Sequence, residues 1–429
     1  MVVHKYLMKK LFSLFNNYKT SIIYTGGALT KALAQLIVGF VIAKYISPDD
    51  FGLWATINLA LSYCIFFQAG FINGLNLELP LVLGKGDEKQ ATLMAGTVQT
   101  TVLLSCILIF IFTILYFIFF SKTELKEQYG IITIAVIIIF TFYQNYLMST
   151  FRSKNSFDIL GKIQFIDAFV NLTTIIFVVY YSYYGMLIKA LVVIVIYVVL
   201  LHIYRPMKVG LLWDINSLKK ILAVGLPIFV LVLIDSFSST IDKVWLIKYT
   251  NLNQVGIYTF AFYAYSTFLL FSASIANYIY PKMSYNYGKN QDKQQLWKFV
   301  KKVTLLLLVI QIPIATIGVF LIPLLINTFF TNYIGSIFIM QILLFAGVLR
   351  GSVVGANALY SMKKWKYMYT YHIFYAVTLV VLTYLGAKYA VDIAIGVASG
   401  VLIANFLNLF FGLYLTFRST MLTTKKQAL

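Results

Sequence analysis

The chain is poor in the side chains that usually carry out catalysis or hold metal ions. Its 429 residues include two cysteines and three histidines. His4, His202 and His372 lie far apart in the sequence, and both Cys64 and Cys106 fall inside apolar runs, which argues against a disulfide or a metal-binding pair. Neither an Asp-x-Asp pair nor a Gly-x-Ser-x-Gly motif is present. We therefore expect no metal site, no cofactor and no catalytic residues, and we predict that the protein is not an enzyme.

Charged residues are also scarce. They make up 11% of the chain, whereas 61% of it is apolar and the mean hydropathy is +0.85. A soluble core cannot hold so much apolar surface, so most of it must face lipid. Apolar runs of about 18 residues or more indicate membrane-spanning helices. We predict an all-α polytopic membrane protein with twelve such helices, centred on residues 21–46, 51–75, 91–120, 130–150, 163–183, 185–204, 220–247, 255–280, 300–328, 335–361, 367–387 and 391–417.

Acidic residues are the scarcest charged type, with 14 Asp and Glu against 34 Lys and Arg and a formal net charge of +20. Of these 34 basic residues, 25 lie on one side of the predicted spans, and the other side has only Lys122, Lys126, Lys248 and Lys388. Because Lys and Arg in short loops stay in the cytoplasm, we predict that both termini are cytoplasmic. The charge is then a topology signal, and without a soluble basic face we expect no nucleic-acid partner.

An internal repeat dictates the domain organisation. Between residues 44 and 90, roughly a quarter of the positions are identical to those 204 residues later, which is several times what unrelated apolar segments share. Both copies of the Gly-Lys turn lie in predicted cytoplasmic loops, so an even number of helices separates them. We predict two parallel six-helix lobes, residues 1–210 and 211–429, around a central cavity, as in transporters that hold their site between two repeats. The repeated residues are Lys44-Tyr45, Gly52, Gly84-Lys85 and Lys89-Gln90, which return as Lys248-Tyr249, Gly256, Gly288-Lys289 and Lys293-Gln294.

Four charged residues fall deep inside the predicted spans: Lys31, Asp235, Asp242 and Arg350. A charge at mid-span costs about 2.5–3.5 kcal/mol on insertion scales and normally faces a bundle interior or an aqueous cavity. Asp235 and Asp242 are seven residues apart and share a helical face within a run rich in Ser and Thr, so this face should line a cavity. We predict substrate binding by Lys31 and Arg350, and ion coupling or gating by Asp235 and Asp242. A buried ion pair that joins the lobes is an equally open interpretation.

Three further charges, Asp167, Lys189 and Lys243, lie nearer the ends of their predicted helices. For these we expect snorkelling to the surface or local capping. The 204-residue register also makes Lys31 equivalent to Asp235. We therefore predict that Lys31 and Asp235 approach each other in one state of a transport cycle and separate in another.

Two stretches of the sequence resemble a known family. The first is Ala43-Lys44-Tyr45-Ile46-Ser47-Pro48-Asp49-Asp50-Phe51-Gly52-Leu53-Trp54, and the second combines Gly225-Leu226-Pro227, Ile241-Asp242-Lys243 and Val255-Gly256-Ile257-Tyr258. Both are similar to motifs of the Wzx-type polysaccharide flippases of the multidrug/oligosaccharidyl-lipid/polysaccharide (MOP) superfamily.

The resemblance implies that two lobes alternate in access and carry an undecaprenyl-diphosphate-linked oligosaccharide across the inner (plasma) membrane of a bacterium. The product would be O-antigen of lipopolysaccharide or another exported polysaccharide. The implied partners are the lipid-linked cargo, membrane lipids, and a polysaccharide polymerase with its chain-length machinery.

Two other functions remain open from the sequence. A cation-coupled multidrug exporter of the same superfamily would place acidic residues in its cavity, as Asp235 and Asp242 allow. A polysaccharide polymerase or ligase, an enzyme, would be expected to carry its site on a large outer loop. The longest predicted outer loops, around residues 121–129, are too short for one.

Overall fold

The computed structural model describes residues 2–119, 124–353, 355–362 and 364–422, and every regular element in this part of the chain is helical. Single-turn helices at Ile65–Gln68, Thr331–Tyr333 and Arg418–Leu422 accompany fifteen α-helices. These are α1 (Val2–Tyr45), α2 (Pro48–Cys64), α3 (Phe71–Gly84), α4 (Glu88–Phe119), α5 (Leu125–Ser153), α6 (Phe157–Thr173), α7 (Ile175–Ile203), α8 (Ile215–Ser238), α9 (Ile241–Tyr249), α10 (Leu252–Asn290), α11 (Lys293–Phe329), α12 (Ser336–Gly351), α13 (Gly355–Ser361), α14 (Trp365–Tyr389) and α15 (Ile393–Phe417).

The described helices are roughly consistent with the twelve spans that the sequence predicts. Ten segments of the described chain are long and apolar enough to cross a membrane. Two further predicted spans correspond to shorter helices, namely α12 with α13 and α6 with the first turns of α7. Phe119, Phe320 and Leu324 are 74%, 76% and 64% exposed, and such large exposed apolar side chains on single helices fit contact with lipid. The protein is therefore a multi-pass membrane protein.

Helix α7 reverses direction and supplies parts of two spans. Ser182 lies at φ 48° and ψ −121°, outside the helical region. Just beyond it, a methyl group added at Gly185 would overlap the carbonyl oxygen of Phe177, eight residues earlier, which a continuous helix would place two turns away. The chain thus forms a tight helical hairpin at Ser182. This turn lies at the predicted boundary between the fifth and sixth spans.

Two spans are broken near their middle. The second span is interrupted between α2 and α3, where Ala69 and Gly70 have φ values of 41° and 83°. The seventh span is interrupted between α8 and α9, where the hydroxyls of Ser239 and Thr240 donate to the carbonyl oxygen of Ser236 at 3.0 Å. Such hydroxyls compete with the backbone for helical carbonyls. The polar run that the sequence placed at a cavity therefore also ends α8.

Contacts divide the chain into two compact units. Unit 1 contains Met1–Ile42 and Tyr63–Val230, and unit 2 contains Ala43–Ser62 and Leu231–Leu429. Each unit takes one segment from the opposite half of the sequence, since most of α2 packs in unit 2 and the start of α8 packs in unit 1. The division of the repeat near residue 210 into two six-helix lobes stays a prediction.

Unit 2 contains a direct contact between repeat-equivalent residues. Asn253 Nδ2 donates to Asp49 Oδ2 at 2.9 Å, and the two residues are 204 positions apart. A methyl group added at Gly52 would overlap the carbonyl oxygen of Leu252, and one at Gly256 would overlap that of Pro48. Only glycine permits this reciprocal approach of the two helix backbones. The register found in the sequence is therefore also the register in which α2 and α10 meet.

Candidate functional site

A cavity of about 520 Å³ lies within unit 2. Its polar wall comes from the break between α8 and α9, and its aromatic wall from α10 and α14. Three of the four predicted site residues line it, and the polar run at the end of α8 faces it as expected. The lining residues include Asp235, Ser236, Ser239, Thr240, Asp242, Lys243, Phe262, Tyr265, Arg350 and Tyr375.

Arg350, in the last turn of α12, is held by tyrosines. Its Nη1 donates to the Tyr371 hydroxyl at 3.3 Å, and its guanidinium carbon lies 4.0 Å from the centre of the Tyr375 ring. Asn408 Nδ2 donates to the same Tyr371 hydroxyl at 2.8 Å and fixes that oxygen. Within the part of the chain that the structure describes, no ion pair includes Arg350. Since a guanidinium has five N–H donors in a planar fork, most of them remain available to a ligand.

Asp235 pairs with a histidine. Its Oδ1 lies 2.8 Å from His372 Nδ1, and His372 Nε2 lies 2.9 Å from the Tyr360 hydroxyl. The Asp235 side chain is 44% exposed and the His372 side chain 8% exposed. The carboxylate therefore faces the cavity while the imidazole behind it is buried.

Asp242 is buried, with 3% of its surface exposed, although it lies at the edge of the same cavity. Its Oδ2 accepts a hydrogen bond from the Tyr258 hydroxyl at 2.8 Å, and its Oδ1 accepts one from the backbone N–H of Lys243 at 2.8 Å. Both carboxylate oxygens are thus used within the protein. These bonds connect α9 to α10, and the predicted coupling or gating role of Asp242 stays a prediction.

Lys243 corrects an expectation from the sequence. It lines the cavity, with its ammonium nitrogen 4.9 Å from the centre of the Phe262 ring, and does not extend to the surface. The break at Thr240 starts a new helix at Ile241, so Lys243 lies in the first turn of α9 beside the cavity. The cavity therefore carries two cations, Arg350 and Lys243.

Lys31 lies in unit 1, in a buried charge cluster. Its ammonium nitrogen is 3.0 Å from Asp167 Oδ2 and 3.8 Å from the centre of the Tyr197 ring. The rings of Tyr24 and Phe157 also meet, at 5.2 Å, so α1 packs along α6 below this pair. Lys31 is thus occupied by partners of its own unit, and its predicted role in substrate binding stays a prediction.

Asp167 and Lys189 correct the expectation of snorkelling or capping. Asp167 is 2% exposed, and Lys189, 7% exposed, donates to Asn171 Oδ1. The predicted fifth span began at residue 163, whereas α6 begins at Phe157, so Asp167 lies almost three turns into the helix. Both charges belong to the buried cluster around Lys31.

The residues that hydrogen-bond to the cavity charges or to their partners were not predicted from the sequence, above all His372, Tyr371 and Asn408. They lie in α14 and α15, which are long and apolar enough to span a membrane. A signal was present in α14, where Tyr371 and Tyr375 are four residues apart and share a face with Met368 and Leu379. That face is as suited to an ordinary core as to a cation site, so only the contacts distinguish the two.

Solved structures of similar fold are membrane transporters. One is an inward-facing multidrug resistance MATE family transporter of the MOP superfamily, with a TM-score of 0.69 and 15% identity over 92% of this chain and 96% of that one. Another is the lipid II flippase MurJ in an inward closed conformation, with a TM-score of 0.71 and 16% identity over 92% and 87% of the two chains. A search of curated proteins found no match. The protein thus has the fold of the MOP transporters.

A sequence profile identifies the family to which the chain belongs within this fold class. The profile of a polysaccharide biosynthesis protein family matches residues 41–336, which is more than half of the chain. The chain belongs to this polysaccharide biosynthesis protein family, and the resemblance to Wzx-type flippases is confirmed at the level of the family and the fold.

Proposed function

We propose that the protein is a flippase that moves an undecaprenyl-diphosphate-linked oligosaccharide repeat unit across the bacterial inner membrane by alternating access. The observation that carries this proposal is the Arg350 guanidinium, which faces a cavity with most of its donors unused. A diphosphate entering a membrane loses its water and needs fixed cations in exchange. The planar fork of Arg350 suits two phosphate oxygens at once.

The wall opposite the aromatic side chains suits a sugar. Ser236, Ser239 and Thr240 present hydroxyls at the break between α8 and α9, while Tyr265 and Phe262 offer aromatic surface. The Ser239 and Thr240 hydroxyls donate to the Ser236 carbonyl oxygen, so their oxygens can still accept from the hydroxyls of an oligosaccharide, and aromatic side chains supply large contact area. The prenyl chain can remain in lipid, since only the headgroup needs polar partners.

In this proposal Lys31 has a secondary role. Its ammonium would have to leave Asp167 before it could hold a phosphate, and the separation would take the paired cation away from the buried carboxylate. We therefore assign the first contact with the diphosphate to Arg350. We place both termini in the cytoplasm, and the exported unit would pass to a polymerase and its chain-length machinery on the outer side.

The experiment is a deletion strain complemented with variants. Loss of the chain should stop surface glycan and leave lipid-linked repeat units on the inner leaflet, and Arg350→Ala should restore at most a few per cent of the glycan at normal protein level. Arg205→Ala is the matched control, because Arg205 donates to the carbonyl oxygen of His202 at the end of α7 and is remote from the cavity in sequence. Normal surface glycan in the deletion strain, or full export by Arg350→Ala, would contradict the proposal.

A multidrug exporter is the second candidate, because the exposed Asp235 carboxylate could hold an organic cation in the same cavity. The two functions differ in one readout of the same strain. Deletion of a flippase alters the surface glycan. Once an unrelated flippase restores the glycan, and the envelope is otherwise intact, drug sensitivity should equal that of the wild type. An exporter deletion stays drug-sensitive after that restoration.

A further inference from the structure

A hydrogen-bonded chain of three ionisable groups leads away from the cavity. It includes Asp235 on α8, His372 on α14 and Tyr360 on α13, with distances of 2.8 Å and 2.9 Å between neighbours. Asp235 is exposed to the cavity, whereas His372 is buried. Neither Asp235 nor His372 is needed to hold a phosphate. The pair therefore has no place in the cargo site proposed above.

We propose that Asp235 and His372 form a proton-binding site whose charge controls how strongly Arg350 holds its anionic ligand. Naming that ligand a lipid diphosphate rests on the proposed function, but the proton site itself does not. Histidine is the side chain best suited to change charge near neutral pH. Here it has a carboxylate partner on one nitrogen and a hydroxyl on the other.

The geometry suits both protonation states of the imidazole. A neutral His372 can donate from Nδ1 to Asp235 and accept at Nε2 from the Tyr360 hydroxyl. A protonated His372 donates from both nitrogens, and the Tyr360 oxygen then accepts. Because a tyrosine hydroxyl can donate or accept, the contact between His372 Nε2 and the Tyr360 hydroxyl can be kept in both protonation states.

The pair is linked to the Arg350 guanidinium through Tyr371. Tyr371 packs edge-on against His372 with ring centres 5.3 Å apart, and the same Tyr371 binds Arg350. Helix α15, which packs along α14, carries a single ionisable side chain, the exposed Tyr414. Ionisable groups that contact the pair or line the same cavity include Tyr360 on α13, Tyr375 on α14, Tyr265 on α10, and Asp242 and Lys243 on α9.

The charge of the pair explains the coupling. With an ionised carboxylate and a neutral imidazole the pair carries one negative charge, and the Asp235 carboxylate interacts electrostatically with the Arg350 guanidinium. A proton taken from cavity water onto the imidazole brings the pair to zero net charge, while water loses that proton. Arg350 then attracts an anion without a competing negative charge beside it. Loss of the proton restores the competition, which is stronger in a protein interior than in water.

The first test needs no ligand. The protein has three histidines, so ring-labelled protein in lipid nanodiscs should give three imidazole signals, assigned with His4→Gln, His202→Gln and His372→Gln. If His372 takes up a proton, its imidazole signal changes with pH, and Asp235→Asn should alter that change while the His202 signal stays as in the wild type. His202 is a matched control, because its Nδ1 lies 2.7 Å from the Tyr143 hydroxyl and no acid of the described chain pairs with it. A His372 signal that stays the same at every pH at which the protein remains folded would overturn the proposal.

The second test measures the coupling with farnesyl diphosphate as the anionic probe. Calorimetric titration in buffers of different ionisation enthalpy gives the number of protons taken up per ligand bound. Near neutral pH the wild-type protein should take up more protons than His372→Gln, by a difference approaching about one proton, and His202→Gln should match the wild type. Equal uptake by the wild type and His372→Gln would refute the coupling. Absence of binding by every form would count against the diphosphate cargo, and the histidine titration would still decide the proton site.

Discussion

Lys31 and Asp235 occupy equivalent positions in the two halves of the sequence, yet their surroundings differ. Lys31 lies against Asp167 and Tyr197 in the interior of unit 1, and the acid it contacts is 2% exposed. Asp235 is 44% exposed to a cavity in unit 2 and has a histidine behind it. Equivalent positions of the repeat are therefore occupied by a paired cation, Lys31, in the first half and by an exposed acid, Asp235, in the second.

The same contrast separates Lys31 from Arg350, the two cations predicted to bind substrate. The ammonium of Lys31 contacts a carboxylate and a ring, whereas the guanidinium of Arg350 contacts two tyrosines and keeps most of its donors. Both residues were recognised in the sequence by their depth in the predicted spans, because a charge at mid-span costs free energy unless it has a partner. The partners, which depth does not reveal, lead us to propose that Lys31 stabilises the fold and that Arg350 is available to a ligand.

The largest effect on stability is expected at Lys31. Lys31→Ala leaves the buried Asp167 carboxylate without its cation, which should cost about 3–5 kcal/mol and lower both the amount of protein in the membrane and its Tm in detergent. Lys31→Met combined with Asp167→Leu removes both charges and should recover most of the loss. Thermal unfolding of the three proteins measures this. A stable Lys31→Ala protein that fails only in export would show that Lys31 acts in ligand binding and not in stabilising unit 1.

A somewhat smaller effect is expected at Tyr258, which donates to the buried Asp242. Tyr258→Phe keeps the ring but removes the hydroxyl, and the loss of a hydrogen bond to a buried carboxylate should cost about 1.5–3 kcal/mol. Tyr258→Phe with Asp242→Asn should be less destabilised than Tyr258→Phe alone, because the remaining amide is neutral. If Tyr258→Phe has the wild-type Tm but loses export, Asp242 acts in the transport cycle and not as a tie between α9 and α10.

The sequence predicted the spans, the repeat and the polar face of α8 because each leaves a periodic or compositional pattern. It misplaced Asp167 because a helix boundary wrong by six residues turns a buried position into a terminal one. His372 and Tyr371 were missed for another reason. Their roles depend on contacts from α8, α12, α13 and α15, and no local pattern in α14 records which residues those helices bring to it.

An exchange of charges tests the partners directly. The repeat register predicts a contact between Lys31 and Asp235, whereas in the structure Lys31 pairs with Asp167. Lys31→Asp with Asp167→Lys should therefore be more stable than either single variant, with a coupling energy of about 0.5–3 kcal/mol. Lys31→Asp with Asp235→Lys should show no coupling in stability. Export measured in the same strains separates the two ideas further. Coupling in export alone would mean that Lys31 meets Asp235 during the cycle.

The smallest effect is expected at Lys154 and Glu88, an ion pair of unit 1 with a short Nζ–Oε1 distance of 2.8 Å. Its side chains are 30% and 66% exposed, so water solvates both ions once they separate. Lys154→Ala should change the free energy of unfolding by about 0–1 kcal/mol, and less in high salt. The distance is slightly shorter than that between Lys31 and Asp167, yet the expected loss of stability is several times smaller. The reason is that an exposed charge left without its partner is solvated by water, whereas a buried one is not. Thermal unfolding of Lys154→Ala beside Lys31→Ala measures that difference. Equal losses of stability would show that proximity alone, and not burial, sets the strength of these ion pairs.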